Sequence, residues 1–218
     1  MARLNIDWVS RSEVAPVAAS TGEATDSDIA RNKAAQKRVA DKPMLIYVTS
    51  DDNTDSYTRK LEDVCFPDER VAIGSKFFKC IKITTGNALQ DRLLIKHGKS
   101  TPRLLLVTRD YKVLSVLEGR KISSGKLVKA MSNLVRKEYK NRFDSMVSGY
   151  AKLLNRLDRL EGQKALLADK TKRADGNKAK LAKIARAMTK YEMNVKKWEA
   201  SEKKLLAFKL TVVKTPKV

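Results

Sequence analysis

Sulfur and imidazole are scarce in this chain of 218 residues: Cys65 and Cys80 are its only cysteines and His97 its only histidine. Two cysteines exclude a disulfide scaffold and make a reducing cytoplasm the expected compartment. A Ser-His-Asp triad, a histidine general base or a multi-histidine metal site would have to rest on His97 alone. That residue sits in Lys96-His97-Gly98-Lys99, a predicted helix end, where a surface or capping role is the ordinary one. Neither a G-x-x-x-x-G-K-S/T phosphate loop nor a G-x-G-x-x-G turn occurs. No apolar run approaches the roughly 18 to 20 residues that span a bilayer, so no membrane partner is expected. The start, Met1 to Trp8, is cut by Asp7 and does not read as a secretory signal. Hydrophobic residues still make up 42%, too many for a disordered chain, and the expectation is a soluble, folded protein.

Charge of one sign is what the chain has in excess. Lys and Arg number 46 against 25 Asp and Glu, a formal charge of +21, which points to an acidic partner. The excess is lopsided: residues 125–218 carry 25 basic and 9 acidic side chains, whereas residues 41–124 carry 15 and 11. The expected architecture is therefore an α/β unit followed by a cationic helical one.

The stretch Ser10 to Ser27, rich in small polar residues, is expected to be a surface segment or partly disordered. Ser27 or Asp28 can cap a helix over Ile29 to Ala40, stopped by Pro43. Met44-Leu45-Ile46-Tyr47-Val48 reads as a buried strand. Helix is expected over Ser56 to Val64, strand over Phe77 to Ile83, and helix over Ala88 to His97, ended by Gly98. Arg103 to Val107 and Lys112 to Leu117 form a hairpin by spacing, turning at Arg109-Asp110. A last helix of this part starts near Ser123 or Ser124. The domains expected are an N-terminal extension 1–26, an α/β domain 27–139, a basic helical hairpin 140–207 and a tail 208–218.

The order helix, strand, helix, strand, helix, strand, strand, helix, with Pro102 before the third strand, resembles the thioredoxin fold. Lys96-His97-Gly98, Ser100-Thr101-Pro102, Leu104-Leu105-Leu106, Gly119 and Gly125-Lys126-Leu127 are similar to the second half of that family. Trp8, Lys42-Pro43 and Phe66-Pro67-Asp68-Glu69-Arg70-Val71 resemble its bacterial thioredoxin-like branch. The match covers about residues 1–139. The resemblance implies a central mixed sheet flanked by helices, a cis peptide before Pro102, and a peptide-binding edge at Thr101 and Pro102. It also implies Cys-x-x-Cys at the start of the first core helix, where the helix N-terminus activates a thiolate. This chain departs from the family there: the slot holds Asp52-Asn53-Thr54-Asp55, and a carboxylate cannot exchange disulfides. Nor does Leu45-Ile46-Tyr47-Val48 offer the buried acid of redox-active relatives.

Asp51, Asp52 and Asp55 could be read as ligands for a hard cation, but they lack the glycine of a calcium loop, and capping a helix is their ordinary use. No metal and no cofactor is expected. Cys65 and Cys80 lie away from any helix start and read as buried structural thiols.

The strongest periodicity comes later. Phe143, Met146, Tyr150, Leu153, Leu157, Leu160 and Leu167 step by 3 and 4, as do Leu181, Ile184, Met188, Tyr191, Val195, Trp198 and Leu205. Each series is a coiled-coil seam, interrupted only by Lys164 and Glu202. Arg173-Ala174-Asp175-Gly176-Asn177 between them is a helix stop and restart. An antiparallel hairpin with Phe143 facing Leu205 and Leu167 facing Leu181 closes without slippage, and sets Tyr150 against Trp198 and Leu157 against Tyr191. A seam of roughly 36 Å at 1.5 Å per residue is expected to project as an arm. Its cations, among them Lys172, Arg173, Lys178, Lys180, Lys183, Arg186 and Lys190, mostly avoid the seam. They form either a solvated helix face or a docking surface for nucleic acid or acidic protein.

The expected function is a redox-inactive thioredoxin-like adaptor or assembly component, not an enzyme, that binds a protein partner and touches an acidic surface with its basic arm. The alternatives are a nucleic-acid-binding protein using that arm and a thiol oxidoreductase using Cys65 or Cys80. Self-association through the coiled coil is a further expectation.

Overall fold

The computed structural model describes residues 5–10, 41–50, 56–89, 92–98, 100–174 and 176–207. The expected helix from Ile29 to Ala40, most of the extension 1–26, the Asp51 to Asp55 segment and the tail from 208 lie outside them. The chain divides into one compact unit ending at Phe143 and a second starting at Asp144. Among the described residues, no helix is long and apolar enough to cross a membrane.

The first unit is built on a mixed sheet of β1 (Val9–Ser10), β2 (Met44–Thr49), β3 (Lys79–Thr84), β4 (Arg103–Val107) and β5 (Val113–Glu118). The strand order is β1-β3-β2-β4-β5. The pairs β1/β3 and β2/β3 are parallel, while β2/β4 and β4/β5 are antiparallel. All six residues of β2 are buried. That explains why its sequence is a continuous apolar run rather than an alternation: both faces of the strand are covered. One face gathers Met44, Ile46, Val48, Ile81, Ile83, Leu105 and Val107 with Ala88 and Leu94. By the two-residue period of a strand, Leu45, Tyr47, Leu104 and Leu106 point to the other.

Helices cover the sheet: α1 (Ser56–Lys60) continues into a π-helical turn (Leu61–Cys65), then come α2 (Glu69–Ser75), α3 (Thr85–Ala88), α4 (Arg92–Ile95) and α5 (Ser124–Glu138). The small mixed sheet with flanking helices is compatible with a thioredoxin-like fold. Helix α2 was not expected from the sequence. Asp68 nucleates it by accepting the Arg70 and Val71 N–H groups at 3.0 and 3.2 Å, ordinary N-capping in a helix too short to show periodicity. Its end also trims the following strand, because the N–H groups of Phe77 and Phe78 return to Gly74 and Ser75, and pairing starts only at Lys79. The expected single helix from Ala88 to His97 is two short ones, α3 and α4. The first begins earlier because the Thr85 hydroxyl donates to the Thr49 carbonyl at 3.0 Å, fixing the helix to the end of β2. Gly98, at φ 101°, then turns the chain.

The last helix of the unit is held by four contacts. Ser123 caps α5, and the Tyr139 hydroxyl just beyond it donates to the Phe77 carbonyl at 2.5 Å. Gly74 gives α2 a close approach, since a Cβ there would stand 2.7 Å from the Phe143 ring and 2.9 Å from Met131. In addition, Arg109 Nε donates to Glu138 Oε2 at 2.8 Å, with side chains only 9% and 6% exposed. This pair ties the β4–β5 turn to α5.

The second unit holds α6 (Phe143–Lys172) from Asp144 onward and α7 (Lys178–Leu206). Gly176, at φ 71°, makes the reversal, and the Asn177 side chain caps α7 through the Lys180 N–H at 3.1 Å. The helices pair antiparallel. Tyr150 Oη donates to Glu202 at 2.5 Å and Trp198 Nε1 to the Leu153 carbonyl at 2.7 Å. These bonds run about one turn off the expected Tyr150–Trp198 rung, in the direction helical side chains lean, toward their own N-terminus. Glu202, the polar break in the second series, is thereby the hydrogen-bond partner of Tyr150. Leu157, Leu167, Ile184, Met188, Tyr191 and Val195 are only half-buried, as a seam closed from one side must be.

Breaking the buried pair leaves one charge without its partner, which typically costs several kcal/mol. Glu138→Ala should lower the unfolding free energy by about 3 kcal/mol in a guanidinium titration, while the Arg109→Met, Glu138→Leu double variant should recover most of it. Equal losses in both variants would show that the pair is not what holds the turn to α5.

Candidate functional site

The end of the first unit where β2 finishes and β4 begins, with Val48 paired to Arg103, holds the candidate site. Gly98, at the turn before β4, has φ 101°, which L side chains rarely adopt, and the flexible end of the Glu118 side chain lies against it. Arg103, the first residue of β4, is 3% exposed. It donates through Nη2 to the Leu94 carbonyl at 3.3 Å and through Nη1 to that of Gly98. The guanidinium thus caps the end of α4, where carbonyls are otherwise orphaned. Burial pulls its pKa below the usual range, and Glu118 across the β4–β5 pair opposes that. The turn leading to Thr101 and Pro102 is thereby anchored at both ends, and the Thr101–Pro102 peptide is cis.

Pro102 is joined to a cleft. Its carbonyl accepts the Gly119 N–H at 2.9 Å. Gly119 in turn lines a pocket of about 240 Å³ with Tyr57, Lys60, Leu61, Cys65, Arg120 and Ile122. Arg120 Nε donates to the Tyr57 hydroxyl, and its guanidinium lies 5.5 Å from that ring's centroid. The pocket has room for one side chain, and its polar rim is cationic, with Lys60 and Arg120 both exposed. Chemically it can take an acidic or polar side chain of an extended segment.

Both thiols are buried. Cys65 ends the π-helical turn and is 3% exposed, and Cys80 on β3 is 4% exposed. Burial pushes the Cys80 thiol up to about 12, and its Sγ donates to the Ser75 carbonyl at 3.5 Å. Cys65 stands at the end of its helical turn rather than at a helix start.

Elsewhere in the unit, Trp8, Tyr47 and Phe66 form an aromatic cluster with centroids 5.1 to 5.5 Å apart. The Tyr47 hydroxyl donates to Glu62 Oε1 at 3.2 Å, and Lys82 Nζ reaches the same oxygen at 2.8 Å. Burial, opposed by a Thr49 hydrogen bond and reinforced by Glu62, pushes the Tyr47 phenol up to about 12. The cluster is a proton-retaining, packed arrangement around neutral pH. Trp8 and Phe66, quoted for the resemblance, meet here.

Other expected site residues fall as follows. Asp51, Asp52, Asn53, Thr54 and Asp55 lie outside the described residues. Among the described residues no three His, Cys, Asp or Glu side chains gather as a metal site would require. Half-buried His97 follows α4, its N–H on the Leu94 carbonyl at 3.3 Å. Lys172, Arg173, Lys178, Lys180, Lys183, Arg186 and Lys190 are all exposed, and Arg173 pairs with Asp169 at 3.0 Å. Sequence reading missed Tyr57, Lys60, Arg103 and Arg120. Tyr57 and Arg120 are 63 positions apart, and only the folded unit brings them together. No family model, curated protein or solved structure matches this chain.

Both thiols should resist modification. At pH 8 a colorimetric thiol reagent should register neither cysteine in the native protein and both after denaturation; rapid labelling of Cys65 under native conditions would show that the pocket exposes a usable thiolate.

Proposed function

We propose that the protein is a redox-inactive, thioredoxin-like adaptor of the cytoplasm, a binding module rather than an enzyme. In this reading the degenerate Asp52-Asn53-Thr54-Asp55 position has surrendered thiol chemistry, while the Thr101–Pro102 edge and its adjoining cleft hold an extended segment of a protein partner. The observation that carries it is the cleft of Tyr57, Lys60, Gly119 and Arg120, which offers hydrogen-bonding and cationic groups beside Pro102, while Cys80 is buried away from it as an unreactive thiol. The hairpin is the second contact, meeting an acidic surface through Lys172, Arg173, Lys178, Lys180, Lys183, Arg186 and Lys190.

A thiol oxidoreductase is the weaker reading, because Cys65 is buried and lies away from any helix start. Pairing of hairpins between two copies fits the half-buried seam but is opposed by the repulsion of two cationic surfaces.

Pull-downs with nuclease at two salt concentrations test the adaptor reading. A protein partner should survive nuclease and be lost in the Lys60→Ala, Arg120→Ala double variant, because the rim cations would no longer receive its acidic side chain. Retention that vanishes wholly with nuclease would overturn it.

A further inference from the structure

The geometry points to the outer face of α7 as a docking surface for the phosphate backbone of double-stranded DNA. The inference rests on the reading of the hairpin as a cationic contact and goes beyond it by naming the partner and the residues. Lys183, Arg186, Lys190, Lys197 and Lys204 are spaced 3, 4, 7 and 7 along the helix. At about 100° per residue they fall within an arc of about 60°. The seam residues Leu181, Ile184, Met188, Tyr191, Val195 and Trp198 occupy a separate sector, and all five cations are exposed. The row runs for about 32 Å at about 1.5 Å per residue, close to the roughly 34 Å turn of B-DNA.

The charge on this face is not balanced by its own helix. The acids of α7 are Glu192, Glu199 and Glu202. Glu192 and Glu199 stand four residues before Lys196 and Lys203, the spacing and orientation at which Glu and Lys support each other, and Glu202 accepts the Tyr150 hydroxyl. None of the three lies three or four residues from a cation of the row. No ion pair among the described residues involves one of the five. Lys183 with Arg186, and Arg186 with Lys190, instead sit at the spacings where like charges destabilise a helix. A face kept cationic against that cost has a use for the charge.

The same face argues for phosphate rather than protein. Met193, 52% exposed, is its one large apolar side chain, and it has no aromatic. Protein interfaces draw their binding from buried aromatic and Arg anchors and are depleted in Lys. DNA interfaces are strongly positive, and phosphate contacts need no apolar anchor. A straight rigid row also suits the regular backbone of a duplex better than a single strand, whose binding relies on exposed aromatic stacking platforms.

Fluorescence anisotropy of the full chain with a labelled 30-base-pair DNA of arbitrary sequence tests this. Five phosphate contacts predict a slope of log K against log salt near −4.5, an affinity loss of about 500-fold between 50 and 200 mM salt. Replacing Lys183, Arg186, Lys190, Lys197 and Lys204 together by Gln should reduce the slope's magnitude by about 4, with helical circular dichroism unchanged. Replacing Lys126, Lys129, Arg136, Lys140 and Arg142 by Gln removes the same charge elsewhere and should leave the slope within about 1 of the original. Equal effects of the two sets would overturn the proposal, as would tighter binding of duplex RNA or single-stranded DNA of equal length. Binding of polyglutamate without binding of DNA would also overturn it while leaving the cationic-contact reading standing.

Discussion

The sheet unit depends on the complete burial of β2. Six successive residues that are covered on both faces require helices on each side, and the two flanking strands must then supply the neighbours that satisfy its backbone groups. Once Met44 to Thr49 is placed, β3 runs parallel at one side and β4 antiparallel at the other. The ends of β2 and β4 then fix their surroundings: Thr49 anchors α3, Tyr47 bonds Glu62, and Arg103 locks the turn before Pro102. The cleft lies where α1 meets the turn after β5. Its polar groups come from α1 and the turn after β5.

The hairpin obeys a different constraint. Two helices share one seam, so most of each helix must remain in water and carry polar residues. That requirement explains why the outer faces are hydrophilic but not why α7 should put five cations on one of them. Solubility is served equally well by interspersed signs, and helix stability is served better. The sign and alignment of the charge are therefore separate information, layered on the coiled-coil pattern and independent of the chemistry of the sheet unit.

What the sequence made legible follows from the range of the interactions involved. Strands β2 and β4, the β4–β5 turn, the Ser123 cap and both hairpin helices were readable because periodicity, capping and turn chemistry are local. Helix α2 escaped because seven residues give no period, and the early start of α3 escaped because it follows from a bond to Thr49, 36 positions away. The pairing of the hairpin was readable in outline, but side-chain lean displaced its hydrogen bonds along the helices. At the site, the cysteines' distance from a helix start was plain in the sequence. The cationic rim was not, since Tyr57, Lys60 and Arg120 carry no signature until the sheet assembles them, and the Asp52 to Asp55 slot lies outside the described residues.

The central claim is that a thioredoxin-like frame here serves binding without sulfur chemistry, and reduction of insulin disulfides in the presence of a small dithiol tests it most directly. The account predicts that the purified protein leaves the rate of insulin precipitation at the level of the dithiol alone. Acceleration by the wild-type protein that disappears in Cys65→Ser or Cys80→Ser would contradict it.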